Sequence, residues 1–172
     1  NLRPDPGDEI LIACGDTYLY LLSSTGSLLD KKQLRGTPWA RSFGDAAYAP
    51  FQVGAWDLNG DGQPEIAVTM KNFDVQVLDK DLNLLWKHDY ALHGSTQLGF
   101  EDTTGDGKPD TLFLGNKYGS VVAADAAGKR LYQLYTSIGD VVYAVGDVDG
   151  DGKVEVVGGS FTGDLVCTRY PA

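Results

Sequence analysis

Three stretches of the chain set oxygen-bearing residues on alternate positions in a pattern suited to a hard cation. They are Asp57-Leu58-Asn59-Gly60-Asp61-Gly62-Gln63-Pro64-Glu65, Asp102-Thr103-Thr104-Gly105-Asp106-Gly107-Lys108-Pro109-Asp110 and Asp147-Val148-Asp149-Gly150-Asp151-Gly152-Lys153-Val154-Glu155, and their first residues are 45 positions apart, twice. Positions 1, 3, 5 and 9 of each loop offer side-chain oxygens. Position 7 (Gln63, Lys108, Lys153) offers its backbone carbonyl, which leaves its side chain free to vary. The glycines supply the φ > 0 turns that let the backbone bend around an ion. The expected cofactor is therefore Ca²⁺, at two to three structural sites. The plain alternative is an Asp/Gly-rich turn that binds nothing. Three copies in register weigh against it.

These loops differ from an EF-hand, which carries Glu at position 12 between two helices. Here an apolar, β-branched run begins at position 9 or 10, as in Glu65-Ile66-Ala67-Val68 and Glu155-Val156-Val157, so each loop feeds a strand. A fourth, decayed copy opens the chain. Aligning Glu9 with Glu65 pairs Asn1 with Asp57, Asp5 with Asp61 and Ile10 with Ile66, while Arg3 replaces Asn59 and Pro4 and Pro6 replace both glycines. A cation at the third ligand position and the lost glycines make this copy a structural turn.

The elements that must position the loops repeat with them. Strands are predicted at Gln52–Trp56, Glu65–Met70, Asp74–Leu78 and Leu84–Lys87, then at Gln97–Glu101, Thr111–Leu114, Ser120–Ala124 and Arg130–Tyr135, then at Val141–Gly146 and beyond. Their apolar alternation has period two, as in Asp74-Val75-Gln76-Val77-Leu78, and no helical period of useful length occurs. Four short strands in a unit of 45 residues predict an all-β fold, a β-propeller of about four four-stranded blades. The repeats run roughly 1–51, 52–96, 97–140 and 141–172 as a single domain or propeller segment, with a strand tally of three, four, four and three. Three readings stay open: part of a larger propeller, self-association into a complete ring, or a small irregular ring of its own.

At the level of motifs the chain resembles the FG-GAP, or VCBS, calcium-loop propellers. The resemblance rests on Val53-Gly54 leading to Asp57 and Leu98-Gly99 leading to Asp102, on the acidic loops, and on Leu112-Phe113-Leu114-Gly115 and Val156-Val157-Gly158 after them. It implies a calcium-stabilised propeller and does not specify a function. A weaker resemblance is to quinoprotein-like propellers. Asp125-Ala126-Ala127-Gly128-Lys129-Arg130-Leu131-Tyr132 approaches their Asp-x-x-Gly-Lys-x-x-Trp pattern with Tyr for Trp, and the stretch from Asp79 to Trp86 keeps the aromatic without the Gly. That aromatic is expected to dock one blade on the next.

Net charge is −10 with no basic patch, which argues against nucleic acid. No apolar run reaches transmembrane length, so no membrane insertion is expected. With no signal peptide visible, the chain reads as mature or excised. Calcium loops suit millimolar calcium, which implies a secreted, extracellular or cell-surface location. Cys14 and Cys167 fall on strands of the first and last repeats; a disulfide is conceivable, and two buried free thiols are the preferred expectation.

No catalytic constellation stands out. His93, Asp89 and Ser95 can be grouped only on paper, with no nucleophile elbow or metal-binding His spacing to support it. Recognition is the better reading. The loops at the end opposite the acidic ones carry Phe73, Tyr118 and Phe161. The step from first to second repeat is 56 residues, which places an insertion of about 11 within Gly36–Pro50, where Trp39, Arg41, Phe43 and Tyr48 sit. Trp39, Arg41, Phe43, Phe73, Tyr118 and Phe161 are the candidate ligand-binding set for a glycan or protein partner. The bland alternative is that aromatics such as Tyr48 plug the central channel. A second functional class is an accessory or catalytic propeller segment of a secreted polysaccharide-degrading or quinoprotein-like enzyme.

Overall fold

The computed structural model describes residues 1–4, 6–34, 49–71, 74–89, 95–116, 120–135, 142–159 and 163–171. Trp39, Arg41, Phe43, Tyr48, Phe73, Tyr118, Phe161 and His93 lie outside the described residues.

The described regular elements are all strands: β1 (Ile10–Ala13), β2 (Tyr18–Leu22), β3 (Leu28–Gln33), β4 (Pro50–Trp56), β5 (Glu65–Met70), β6 (Asp74–Leu78), β7 (Leu84–Asp89), β8 (Ser95–Glu101), β9 (Thr111–Asn116), β10 (Ser120–Ala124), β11 (Arg130–Tyr135), β12 (Val142–Gly146), β13 (Glu155–Gly159) and β14 (Leu165–Arg169). They form four antiparallel sheets in chain order, β1-β2-β3, β4-β5-β6-β7, β8-β9-β10-β11 and β12-β13-β14. The three-four-four-three pattern is the one the apolar runs predict. β5, β6, β10 and β11 match their predicted bounds residue for residue, β4, β7, β8 and β9 each run two residues longer, and β12 starts one residue later.

Period-two alternation normally sends one side chain in and the next out. Here the middle strands bury both sets: every residue of β5, β6 and β10 is buried. The sheets accordingly stack face to face in three apolar layers. Ile66, Val68 and Met70 of β5 pack with Leu19 and Leu21 of β2. Ala67, one position out of phase, packs the other way with Leu112, Leu114 and Val122. Phe113, Val121 and Ala123 then meet Val156 of the last sheet and Val154 just before it. The first strands of the sheets lie side by side, with β4 against β8 and β8 against β12, while β1 lies against β4.

The outer hairpins share one turn. Ser23, Asp79 and Asp125 each accept an N–H three residues on, from Gly26, Leu82 and Gly128. That third position is left-handed, with φ of 84°, 61° and 80°. A leucine there is strained by roughly 1–2 kcal/mol. Leu82 is only 2 % exposed and joins the first apolar layer, so burying its side chain offsets the strain.

The expected aromatic docking occurs across this turn. Trp86 of β7 donates its indole N–H to the Ala126 carbonyl at 2.7 Å, on the next sheet. A Cβ at Gly128 would sit 2.8 Å from the Trp86 ring and 2.9 Å from His88, so the turn needs glycine for contact as well as for φ. One sheet further on, Tyr132 meets Tyr170 edge-on at 5.6 Å, and Tyr170 in turn meets Phe113 at 5.3 Å.

One expectation needs correcting. Both cysteines are free, but they are not buried: Cys14 follows β1 and is half-buried, and Cys167 is exposed. Cys167 lies on β14, the last strand of its sheet among the described residues, where alternate side chains face water.

The docking predicts a graded response. Trp86→Ala should lower unfolding free energy by about 3 kcal/mol, and Trp86→Phe, which loses the hydrogen bond but keeps most of the ring, by about 1 kcal/mol. Urea unfolding of both variants measures this; equal losses would assign the whole effect to the hydrogen bond.

Candidate functional site

The acidic loops join β4 to β5, β8 to β9 and β12 to β13, so all three sit at the same end of adjacent sheets. Their backbones are near-copies. φ is 76° and 83° at Gly60 and Gly62, 80° and 85° at Gly105 and Gly107, and 79° and 83° at Gly150 and Gly152. These paired left-handed residues turn backbone N–H groups onto the first carboxylate. Gly60 and Gly62 donate to the two oxygens of Asp57 at 2.8 and 2.9 Å. Gly105 and Gly107 donate to Asp102 at 2.6 Å each, and Gly150 and Gly152 to Asp147 at 2.7 and 2.9 Å. Burial by itself would raise the Asp102 carboxyl, but the N–H groups of Gly107, Gly105 and Asp106 outweigh it and hold the pKa below the usual range.

A second contact closes each loop. The position-9 carboxylate accepts the N–H of position 2: Leu58 to Glu65 at 2.8 Å, Thr103 to Asp110 at 3.1 Å and Val148 to Glu155 at 3.0 Å. The decayed first copy does the same, Leu2 to Glu9 at 2.7 Å. Position 9 is thus a structural clamp wherever the turn occurs, whether or not the other oxygens are there. In that first copy Arg3 pairs with Asp81 of the next sheet and, at 3.8 Å, with Asp30.

The second loop departs in register. Trp56 faces Glu65 and Gly146 faces Glu155, but Glu101 faces Thr111, so Asp110 stands one residue before its strand. Its side chain is a methylene shorter than Glu, and hydroxyls fill in: Thr103 and Thr111 each donate to Asp110 Oδ1 at 2.8 Å. Burial raises the Asp110 pKa; the nearby hydroxyls of Thr104, Thr111 and Thr103 lower it by more, leaving it depressed. Its other oxygen, Oδ2, is buried with no hydrogen-bond partner.

That orphaned oxygen tests the fit of a metal. The donors at the first two loops are all oxygens: Asp57, Asn59, Asp61, Glu65 and the Gln63 carbonyl, then Asp102, Thr104, Asp106, Asp110 and the Lys108 carbonyl. This is a hard-cation set, and Asp110 Oδ2 has lone pairs uncommitted. In the first loop the amide of Asn59 donates to Asp61 at 3.2 Å and to Glu65 at 2.8 Å, which eases the crowding of acids. Burial nevertheless pushes the Glu65 carboxyl up, helped by Asp61 and Asp57 and opposed by the Leu58 N–H.

The third loop gathers its acids most closely: Asp147, Asp149 and Asp151 each offer an oxygen within 4.8 Å of the others. It also differs from the first two. Arg169 of β14 reaches Asp149 at 3.0 Å, Asp151 at 2.8 Å and Glu155 at 3.2 Å. Sequence reading missed this residue. It is 14 positions from Glu155, and only the β13–β14 register, which sets Glu155 opposite Arg169, brings the two together. The alignment of Glu9 with Glu65 was the available sign of the position-9 clamp. The candidate recognition residues Trp39, Arg41, Phe43, Phe73, Tyr118 and Phe161 lie outside the described residues. Asp89 ends β7 and Ser95 begins β8.

Comparison with known proteins adds a fold. No family model matches the chain, and no curated protein matches its sequence. Among solved structures it is similar to Sqt1 of Saccharomyces cerevisiae, at TM-score 0.73 and 14 % identity over 95 % of this chain and 41 % of that one. It is also similar to BBS1N in complex with ARL6DN, at TM-score 0.74 and 16 % identity over 98 % of this chain and 51 % of that one. Both are of β-propeller type, and the four antiparallel sheets belong to that fold. The chain spans about half the length of these neighbours.

The neighbours overturn the secreted, extracellular or cell-surface placement, since Sqt1 and BBS1 are intracellular proteins. The placement was drawn from the calcium supply that acidic loops would suit, and propeller-type sheets of this kind are not tied to that supply.

The clamp predicts that Glu9→Ala costs about 1–2 kcal/mol, equally in calcium and in chelator. Chemical unfolding in both buffers checks it; a cost confined to calcium would make position 9 a ligand first and a clamp second.

Proposed function

We propose that this chain is a propeller-type protein-interaction module whose acidic loops hold structural Ca²⁺. The observation that carries the metal half is the buried, unpartnered Oδ2 of Asp110 in a loop whose remaining donors are also oxygens. The side chains of Asp57, Asn59 and Asp61 and of Asp102, Thr104 and Asp106 would hold the ions at the first two loops; Asp147, Asp149 and Asp151 offer the same pattern at the third, where Arg169 already lies against two of them. The carbonyls of Gln63, Lys108 and Lys153 and the clamp residues Glu65, Asp110 and Glu155 complete the set. Bound Ca²⁺ would supply positive charge that offsets the mutual repulsion of these carboxylates. The repeat resemblance to FG-GAP/VCBS propellers supports the same reading.

The interaction half draws support from the propeller-type fold and from BBS1N, which was solved in complex with ARL6DN. The recognition surface we assign is the end of the sheets opposite the acidic loops. There β5, β9 and β13 stop at Met70, Asn116 and Gly159, and the sequence beyond each stop carries Phe73, Tyr118 or Phe161. Trp39, Arg41 and Phe43, between β3 and β4, extend the set. Aromatic and Arg side chains are the types that dominate binding energy at protein interfaces. Binding to further propeller sheets or to a second copy of the chain belongs to the same module reading.

Two experiments test these halves. A thermal melt in 1 mM Ca²⁺ and again in excess chelator should show a rise of several degrees with calcium. If Kd is about 10 μM, each site gains roughly 2.7 kcal/mol at that concentration. Asp106→Ala should remove part of the rise and leave the chelator melt nearly unchanged; an equal loss in both buffers would make the second loop a plain turn.

For recognition, a proximity-labelling capture with the wild type and with a Trp39→Ala/Tyr118→Ala/Phe161→Ala variant should yield a protein partner that the variant loses at least tenfold. Retention by a glycan array with no protein captured would move the module to carbohydrate binding.

A further inference from the structure

The three acidic loops are alike in backbone and unlike in charge compensation. Among the described residues, no Lys or Arg forms an ion pair with the first or second loop, whereas Arg169 forms three with the third. The sister sheets show how specific this is. The β5–β6 ladder sets Ile66 opposite Leu78 and the β9–β10 ladder sets Leu112 opposite Ala124, so the next step toward the loop meets Asp79 and Asp125. Those two acids cap the outer turns, Asp79 accepting the N–H groups of Asp81 and Asn83 and Asp125 those of Ala127 and Lys129. In the last sheet the corresponding place, opposite Glu155, is Arg169.

We infer that Arg169 is a tethered cation that takes the place of a metal ion at the third loop, so that Ca²⁺ binds tightly at the first and second loops only. The geometry supplies the reason. One guanidinium nitrogen, Nη2, lies 3.0 Å from Asp149 and 2.8 Å from Asp151, and Nε lies 3.2 Å from Glu155. Three of the side chains a calcium ion would need are thus already turned onto a cation. A guanidinium cannot be deprotonated in a protein, and its planar fork suits several carboxylates at once. Calcium needs six to eight oxygens at roughly 2.3–2.6 Å, and to collect Asp149, Asp151 and Glu155 it must first expel an equally fixed positive group. The strand ladder keeps the residue, and with it the guanidinium, within reach of the loop: Arg169 stands opposite Glu155 by backbone pairing that calcium does not touch.

The inference rests on the calcium reading only for its count of sites, and the test separates the two. In chelator at low salt, Arg169→Gln should lower Tm by about 2–4 °C, and adding Asp149→Asn should restore part of the loss by removing one of the repelling charges. An unchanged Tm in Arg169→Gln, or a loss that Asp149→Asn does not relieve, overturns the tethered cation without reference to calcium. Calorimetric Ca²⁺ titration of the stripped protein should then show two tight sites in the wild type and three in Arg169→Gln, the third gaining on the order of tenfold or more in affinity. Three equally tight sites in the wild type, or a count that Arg169→Gln leaves unchanged at two, overturns it. No sites in either protein overturns the calcium reading, and the chelator melts alone then decide for or against Arg169.

Discussion

No face of β5, β6 or β10 is open to water. A strand with period-two side chains can be buried on both faces only if its sheet lies between two others. The second sheet accordingly packs one way through Ile66, Val68 and Met70 and the other way through Ala67, Val75 and Val77. Stacking of this kind has consequences at the strand ends. Sheets that repeat face to face present the same turn at the same end, one beside the next, so any charge built into that turn is repeated alongside itself. The acidic character of the loop end follows from this packing together with the loop sequence.

Much of this was legible from the chain because it depends on local spacing. The repeat of 45 residues, the strand bounds and the three-four-four-three tally all come from apolar alternation and Gly-containing turns. The docking aromatic was legible as well, since Trp86 and Tyr132 sit at fixed offsets from their turns. What escaped depends on register or on compensation. Leu82 occupies a left-handed turn position that sequence assigns to glycine, and only its burial in the first apolar layer explains its tolerance there. Asp110 was read as equivalent to Glu65 and Glu155. The loss of one methylene moves it outside the ladder and draws Thr103 and Thr111 into its shell. Cys167 was read as a buried free thiol on cysteine's general tendency to be buried; its place on the last described strand of its sheet leaves it exposed.

The location expectation failed for a different kind of reason. Acidic loops report which ion a turn can coordinate, and how much of that ion is present outside the chain is a separate matter. Structural likeness to the intracellular proteins Sqt1 and BBS1 removes the inference at its second step and leaves the coordination chemistry where it was.

The loops also show two ways of meeting the same electrostatic demand. Carboxylates crowded at a turn raise one another's free energy, and the repulsion grows as they leave water. Glu65 registers it: burial first, and then Asp61 and Asp57, push its carboxyl up despite the Leu58 N–H. A mobile divalent ion can relieve this with two charges, but only while it is bound. A side-chain cation relieves it with one charge, permanently, and at a place that strand pairing has already fixed. The decayed first copy has lost its third-position oxygen to Arg3, which pairs with Asp30 and Asp81 instead of leaving room for an ion. The third loop keeps every carboxylate and receives Arg169 from the neighbouring strand. The third loop therefore carries its counter-charge in the covalent chain, whereas the first and second loops, with no Lys or Arg paired to them among the described residues, retain the demand that a bound ion would meet.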